Sequence, residues 1–507
     1  MLAPDAIAQM AGAEATASVA PAEAAQGRRV ARNIIVVLTS QVAIWVAGSG
    51  LGILLPRYLG DTDIGRLTFA LSITAFATVV VLFGSDSYLM REVARRPAEA
   101  GHLAFNALLM KIPLAAASLA GMILFVNLLH YPAITRDMVY ILGAGMCISA
   151  VGSTCSSTLS GLERMSLTSL ASVIERTIGG VVGVGAVVLA GEGMRPYALI
   201  LVAASAVSTL IIAVHFARVV GLSWRLDLRI WKELMHGGTP FMLWGIALMI
   251  YGSIDITMLS LMTEDEVVGW YGTAYRFIGI ATFFPSAITF ALLPNISSVG
   301  VMESRSLIRR CLDLGMLTSV AITVFFFVGA QAIIDFLRYP AGFQHTVILL
   351  QILSLHIPLT TFAMISGAVV IASNREGPRT KAAIAAALVN PLLNLAAIPY
   401  FTHHYHDGAI GAAITSVMIE VFMTAVMFSL VPKGVFDRQN AITMLRCAGS
   451  GIVMAGAMIL VAPYGLIPMF LFGCAAFGVA ALVLRAVSLR ELLDMGQTIL
   501  RGRAASA

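Results

Sequence analysis

Fourteen apolar stretches follow one another along this chain. They lie at 33–56, 65–87, 102–129, 138–160, 167–190, 196–218, 237–262, 267–293, 311–335, 345–371, 380–400, 408–431, 441–463 and 465–486. About 20 apolar residues suffice for a helix to cross the hydrocarbon core, where every backbone N–H and C=O must be paired within the segment. The gaps between stretches carry Gly, Pro and charge, as helix ends do. Only 12% of the 507 residues are charged, about half the share usual in a soluble domain. A soluble enzyme, a nucleic-acid-binding domain and a disordered protein are excluded, so the net charge of +5 is no sign of nucleic acid. The expected fold is all-α and integral to the membrane, with about 14 transmembrane helices.

The basic residues test this count, because cytoplasmic loops collect Lys and Arg. With the N-terminus inside, 24 of the 32 Lys and Arg fall on the cytoplasmic side. Five (Arg57, Arg66, Arg136, Arg195 and Arg338) fall on the outer side, and three lie within the stretches. One helix more or fewer would scramble the alternation. Both termini are therefore expected in the cytoplasm. Residues 1–27 are Ala-rich without a continuous apolar core, which reads as a disordered tail rather than a signal peptide. The five cysteines lie scattered in apolar stretches without a Cys-x-x-Cys pair and read as small buried hydrophobes. No P-loop pattern occurs.

The chain also repeats itself. I-G-R-L-T-F-A (64–70) and V-G-W-Y-G-T-A (268–274) share Gly65/Gly269 and Ala70/Ala274 at an offset of 204. G-L-E-R (161–164) and S-N-R-E (373–376) echo each other at an offset of 212. These matches relate stretches 1–6 to stretches 7–12. Six is even, so both halves start on the same side and the repeat is parallel. Two such halves place a site between them near the midplane. The expected division is a cytoplasmic tail (1–27), an N-lobe (28–220), a C-lobe (221–431), and two extra helices with a cytoplasmic C-terminus (432–507).

Ionisable groups inside spans are costly and tend to face an internal cavity. Here they are Lys111, Glu175, Arg176, Asp255, Arg276, His356 and Glu420, with Asn390 and Asn394 one turn apart. Small residues surround Arg176 (Ser169, Ser172, Gly179, Gly180, Gly183) and Arg276 (Gly269, Gly272, Thr273, Gly279), leaving room for a facing helix or a ligand. The functional reading is a cationic cavity for an anionic head group, built from Arg57, Lys111, Arg176, Arg276, Asn390 and Asn394. Arginine suits it because its planar fork pairs with phosphate through two hydrogen bonds. Glu175, Asp255 and Glu420 are the candidates for coupling to a proton or sodium ion.

Structural readings stand beside these. Asp255 and Arg276 could form an ion pair between adjacent helices, Lys111 could snorkel, and the two asparagines could join helices. Arg57 could mark the interface, and His356 reads as a packed core histidine. His403-His404-Tyr405-His406-Asp407 reads as a solvated outer loop rather than a metal cluster. No metal and no cofactor is expected.

Several segments, taken in order, resemble the polysaccharide and O-antigen lipid flippases of the MATE-like exporter superfamily. They are L-P-R-Y-L-G-D-T-D-I-G (55–65), G-S-D-S-Y-L-M-R-E-V-A (84–94), the Gly-Leu-Glu-Arg turn (161–164), S-N-R-E (373–376), N-L-A-A-I-P (394–399) and G-A-I-G-A-A-I-T (408–415). The resemblance covers about residues 30–485. The segment between Pro399 and Gly408 departs from it, being longer and richer in histidine.

The resemblance implies two six-helix lobes around a cationic cavity, in the bacterial cytoplasmic (inner) membrane. It also implies a transporter rather than an enzyme. Such a protein flips polyprenyl-pyrophosphate-linked oligosaccharide to the outer leaflet by alternating access. Its partners would be that lipid-linked substrate, membrane lipid, and a polysaccharide polymerase with assembly proteins. A pyrophosphate on a low-dielectric path needs cationic partners. Its outward movement is favoured by about 2.3 kcal/mol per charge per 100 mV.

Two rival readings remain. A multidrug–cation antiporter of the same superfamily would have an acid-dominated cavity, yet the first stretch has no carboxylate, only Gln41 at mid-span. A membrane glycosyltransferase or polymerase could use Asp61-x-Asp63, but it needs a large outer loop, and every outer gap is about a dozen residues or shorter.

Overall fold

The computed structural model describes residues 50–486, except 192 and 222. The 1–27 tail, nearly all of the first stretch with Gln41, and the chain beyond 486 lie outside the described residues. Among the described residues there is no strand, and thirteen helices are long and apolar enough to cross a membrane. They match stretches two to fourteen one for one. They are α1 (Leu55–Arg95), α2 (Pro97–Leu128), α3 (Ala133–Gly161), α4 (Ser166–Leu189), α5 (Met194–Val219), α6 (Leu228–Met262), α7 (Asp265–Val299), α8 (Arg305–Phe336), α9 (Ala341–Ala372), α10 (Glu376–Tyr405), α11 (Gly408–Leu430), α12 (Arg438–Tyr464) and α13 (Leu466–Val483).

The ends differ from the sequence reading where the chain bends without stopping. Residues 57–64, expected as an outer gap, belong to α1. Pro56 fits its first turn, where a missing N–H is no loss. Gly60 then leaves helical geometry (φ 79°, ψ 173°) and kinks the helix, a conformation only glycine adopts freely. The Gly-Ser-Asp-Ser-Tyr segment is likewise no loop. After a break at Phe83 and Gly84 the chain is helical again over Ser85–Arg95. Helix α9 breaks at Leu355, three residues before Pro358, and α4 widens into a π-turn over Ile178–Gly183. Helix α10 runs on to Tyr405, so His403 and His404 sit in its last turn and the expected loop shrinks to residues 406–407.

Helices α1, α2, α3 and α5 pack together, with α4 against α5. Helices α6, α7, α9, α10 and α11 form a second bundle. Helix α8 leans on α7 and α9 and carries α12 and α13. Corresponding pairs recur: α3 on α5 as α9 on α11, α4 on α5 as α10 on α11, α1 on α3 as α7 on α9. Corresponding helices even end alike, in left-handed residues His130/Arg338, Glu163/Asn374 and Gly191/His406. The Glu163/Asn374 pair sets the offset at this turn at 211, one less than the motif alignment.

The two bundles meet where α1 crosses α7. A Cβ on Gly65 would stand 1.7 Å from the Asp265 carbonyl oxygen, and one on Gly269 would stand 2.1 Å from that of Asp61. The contacts are the same contact under the 204-residue offset, so the pseudo-two-fold axis runs between these glycines. Side chains follow suit. Arg66 Nε donates to Asp265 (2.8 Å), and Trp270 Nε1, its counterpart, donates to Asp61 (3.2 Å).

Candidate functional site

Two groups of ionisable side chains emerge, one cationic and one acidic, and they do not mix. The cationic group is centred on Arg276. The preceding residue, Tyr275, donates from its hydroxyl to the Gly252 carbonyl (3.2 Å) and so fixes the face that α7 turns to α6. One residue on, about 100° around the helix, Arg276 points elsewhere. Its Nη1 donates to the Gly52 carbonyl at 3.0 Å. The Tyr339 hydroxyl holds the next carbonyl, that of Ile53, at 2.5 Å. Buried Tyr197 of α5 lies within electrostatic reach of Arg276 and also of Arg176, which is exposed on α4. Among the described residues neither guanidinium has a carboxylate within ion-pair distance. Arg276 has five N–H donors and spends one on a neutral carbonyl. An anion would gain charge-assisted hydrogen bonds, about twice as strong as neutral ones.

The acidic group lies inside the second bundle. Asp255 of α6 accepts from Asn394 Nδ2 (2.6 Å), Ser416 Oγ (2.6 Å) and the Tyr271 hydroxyl (3.0 Å). The anticipated ion pair with Arg276 is not formed, because these three neutral donors already occupy the carboxylate. Asn390 and Asn394 therefore serve Asp255 rather than the arginines. Asn394 Nδ2 also donates to Asn390 Oδ1 (2.6 Å), and Asn390 Nδ2 donates to the Tyr251 carbonyl (3.2 Å).

One turn along, Glu420 of α11 accepts from the Tyr251 hydroxyl and lies 3.4 Å from His356 Nε2. His356 Nδ1 is 2.7 Å from Thr360 Oγ1. Both carboxylates are buried. Buried Asn394 Oδ1, without a hydrogen-bond partner, adds a further oxygen beside Asp255. Such a column can take a proton or a small hard cation, which favours oxygen ligands.

The remaining candidates fall outside both groups. Lys111 is buried among α1, α2 and α3, donating to Asp86 (2.5 Å), Thr154 (2.7 Å) and Ser153 (3.3 Å). It neither snorkels nor faces the other bundle, because Asp86 reaches it from within its own. Arg57 is exposed on the first turn of α1, with its guanidinium 5.4 Å from the Tyr58 ring. Glu175 is half-buried beside Arg176, without a hydrogen-bond or ion-pair partner among the described residues.

Asp61 and Asp63 are occupied by Trp270 and Arg66 (3.2 Å each). In the histidine segment, Asp407 caps α11 and meets His345 Nδ1 at 3.0 Å. Among the described residues, no cluster of three His, Cys, Asp or Glu could hold a metal ion. The cysteines are free. Cys155 and Cys447 are buried, whereas Cys474 is exposed.

Residues 30–299 match the family model for polysaccharide biosynthesis proteins. In Haloferax volcanii, the probable low-salt glycan biosynthesis flippase Agl15 is 21% identical over 211 residues, 41% of this chain and 43% of its own. The probable flippase AglR is 24% identical over 218 residues, 42% of this chain and 44% of its own. The chain thus spans less than half the length of these curated relatives. Among solved structures, the lipid II flippase MurJ in an inward closed conformation is similar, with a TM-score of 0.75 at 14% identity, covering 90% of this chain and 100% of that one. An inward-facing multidrug resistance MATE family transporter of the MOP superfamily follows at 0.57 and 15%, covering 82% and 95%. At such identities the likeness is one of fold.

Proposed function

This chain belongs to the polysaccharide biosynthesis protein family, and from that premise we propose that it is a flippase. It carries a polyprenyl-pyrophosphate-linked oligosaccharide across the bacterial cytoplasmic membrane for surface polysaccharide synthesis. The observation that carries this reading is Arg276, half-buried at the seam of the two bundles with one neutral carbonyl and no carboxylate as partner among the described residues. A cation inside a span, as Arg276 is, stays uncompensated only at a cost, and a pyrophosphate supplies the missing charge. The site lies about 16 Å in from the start of α7, near mid-membrane.

The halves 28–220 and 221–431 are the moving bodies, residues 432–507 are an addition, and the arginine-rich face is cytoplasmic. The Asp255–Glu420 column couples movement to a proton or sodium ion, and a polymerase and assembly proteins act on the delivered substrate. Nothing in this scheme makes or breaks a covalent bond, so the protein is a transporter rather than an enzyme.

Arg176→Ala and Arg276→Ala should each abolish surface polysaccharide at unchanged membrane abundance, with lipid-linked oligosaccharide accumulating on the cytoplasmic side. Normal export in both variants would remove the arginines from the site. Asp255→Asn should uncouple transport from an imposed proton or sodium gradient. An unaltered gradient response would exclude the column.

A further inference from the structure

We infer that the isoprenoid tail of the carrier lipid lies in a groove between α1, α2 and α6 while its diphosphate is held at Arg276. The inference rests on the flippase reading and adds the route of the tail. A head group between two bundles and a tail in the surrounding hydrocarbon stay joined by a covalent chain. That chain must leave through a seam between the bundles, and α1 against α6 is such a seam.

Two closures of this seam bracket a gap, and a third, Glu233 with Tyr88 and Arg96, lies beyond them on the arginine-rich side. On the arginine-poor side, Ser72 Oγ lies 3.4 Å from Thr257 Oγ1 and 3.5 Å from the Ser253 carbonyl. On the arginine-rich side α1 and α6 cross backbone to backbone. A Cβ on Gly84 would stand 2.4 Å from the Gly238 carbonyl oxygen, and one on Gly238 would stand 2.6 Å from that of Phe83. The stretch of α1 between these closures is about 18 Å long. There α2 joins the two helices around an open groove of about 620 Å³, walled by Ile73, Phe76, Val80, Met122, Phe125 and Ile250 among others.

No charged residue lines it, and its only hydroxyls are those of Ser118 and Thr257, so it offers a phosphate no countercharge. Gly121 keeps its floor open, since a Cβ there would have no atom within 4 Å. The depth also agrees. The Tyr275–Gly252 hydrogen bond ties the residue before Arg276 to the turn of α6 that supplies Ile250 and Ile254 to the groove. A hydrocarbon gains nothing from leaving lipid for an equally apolar groove. The groove therefore contributes position: it holds the first isoprene units level with the arginines.

The test places the photoreactive residue p-benzoylphenylalanine in the full chain at Gly121, at Ala117 as a second groove position, and at Ile123, which is 38% exposed on the opposite face of α2 at the same depth. The protein sits in phosphatidylethanolamine–phosphatidylglycerol vesicles doped with radiolabelled undecaprenyl phosphate. Labelling at the groove positions should exceed that at 123 by about tenfold. Unlabelled undecaprenyl phosphate should displace it, and excess phosphatidylglycerol should not. Equal labelling at all positions, or equal displacement by phosphatidylglycerol, overturns the inference. If Arg276→Ala abolishes surface glycan while the groove positions stay unlabelled, the head-group site stands and the groove falls. If the groove labels while Arg276→Ala exports normally, the groove stands and the head-group site falls.

Discussion

A lysine and an arginine in apolar helices look alike in sequence and differ entirely in this fold. Lys111 is saturated by Asp86, Thr154 and Ser153, whereas Arg276 spends one donor on one carbonyl. Lys111→Ala should therefore damage folding rather than transport. It leaves Asp86 without its cation, at a cost of about 3 kcal/mol, the low end for a broken buried pair because Asp86 keeps some contact with water. A lowered melting temperature and reduced membrane abundance would show this, against normal abundance for Arg276→Ala.

Asp407 offers a pH signature. Burial pushes its carboxyl above the usual carboxylate range, against the pull of His345 and of the N–H groups that start α11. The folded chain holds this proton to higher pH than the unfolded chain does. The resulting stability is complete below the ordinary carboxylate range and declines as pH rises through the raised value. Asp407→Asn keeps the cap and should remove that slope from melting temperatures taken across mildly acidic pH. At this scale the sequence marked the charges but not their partners. Asn390 and Asn394 sat in plain view, yet which helix face meets Asp255 is a tertiary fact. Tyr197, Tyr251 and Tyr339 gave no signal, because tyrosine in a span is ordinary.

Element boundaries were read from composition, and composition does not distinguish a bend from an end. Gly60 and Gly84 look like loop residues, but the chain on either side of each is helical. The repeated Gly65 and Gly269 were found by matching two short strings. What they do, letting α1 and α7 touch backbone to backbone, emerges only from the crossing. Gly65→Ala and Gly269→Ala should each force these helices apart, and overpacking of this kind costs about 1–3 kcal/mol. Gly121→Ala, placed in open space inside a helix, should keep or slightly raise stability, because alanine favours a helix over glycine. Thermal unfolding in detergent compares all three, and equal melting temperatures would contradict the close crossing.

For the whole molecule, thirteen of the fourteen expected spans are present among the described residues, and the parallel repeat is written into matching helix pairs and helix ends. This much was legible because a bilayer imposes length and charge rules on every segment separately. The site was less legible because it depends on how segments face one another. If a diphosphate moves outward with the cytoplasm negative, each charge gains about 2.3 kcal/mol per 100 mV. Collapsing the potential with an ionophore in vesicles should therefore slow flipping of the pyrophosphate-linked oligosaccharide, measured by its exposure to an external glycosidase. An unchanged rate would mean that the moving complex is neutral.

The reciprocal contact of Gly65 and Gly269 has a mechanical consequence. A point on the symmetry axis is the one place that stays still when two equal bodies swing against each other, so this crossing is a natural fulcrum. Gly84 stands about 28 Å from it along α1. A swing of about 10° would carry that point through about 5 Å, over the lever length given by the helical rise. If the halves rock about it and open at the arginine-rich face, the Arg96–Glu233 ion pair, farther out than the Gly84–Gly238 crossing, is the first contact to part.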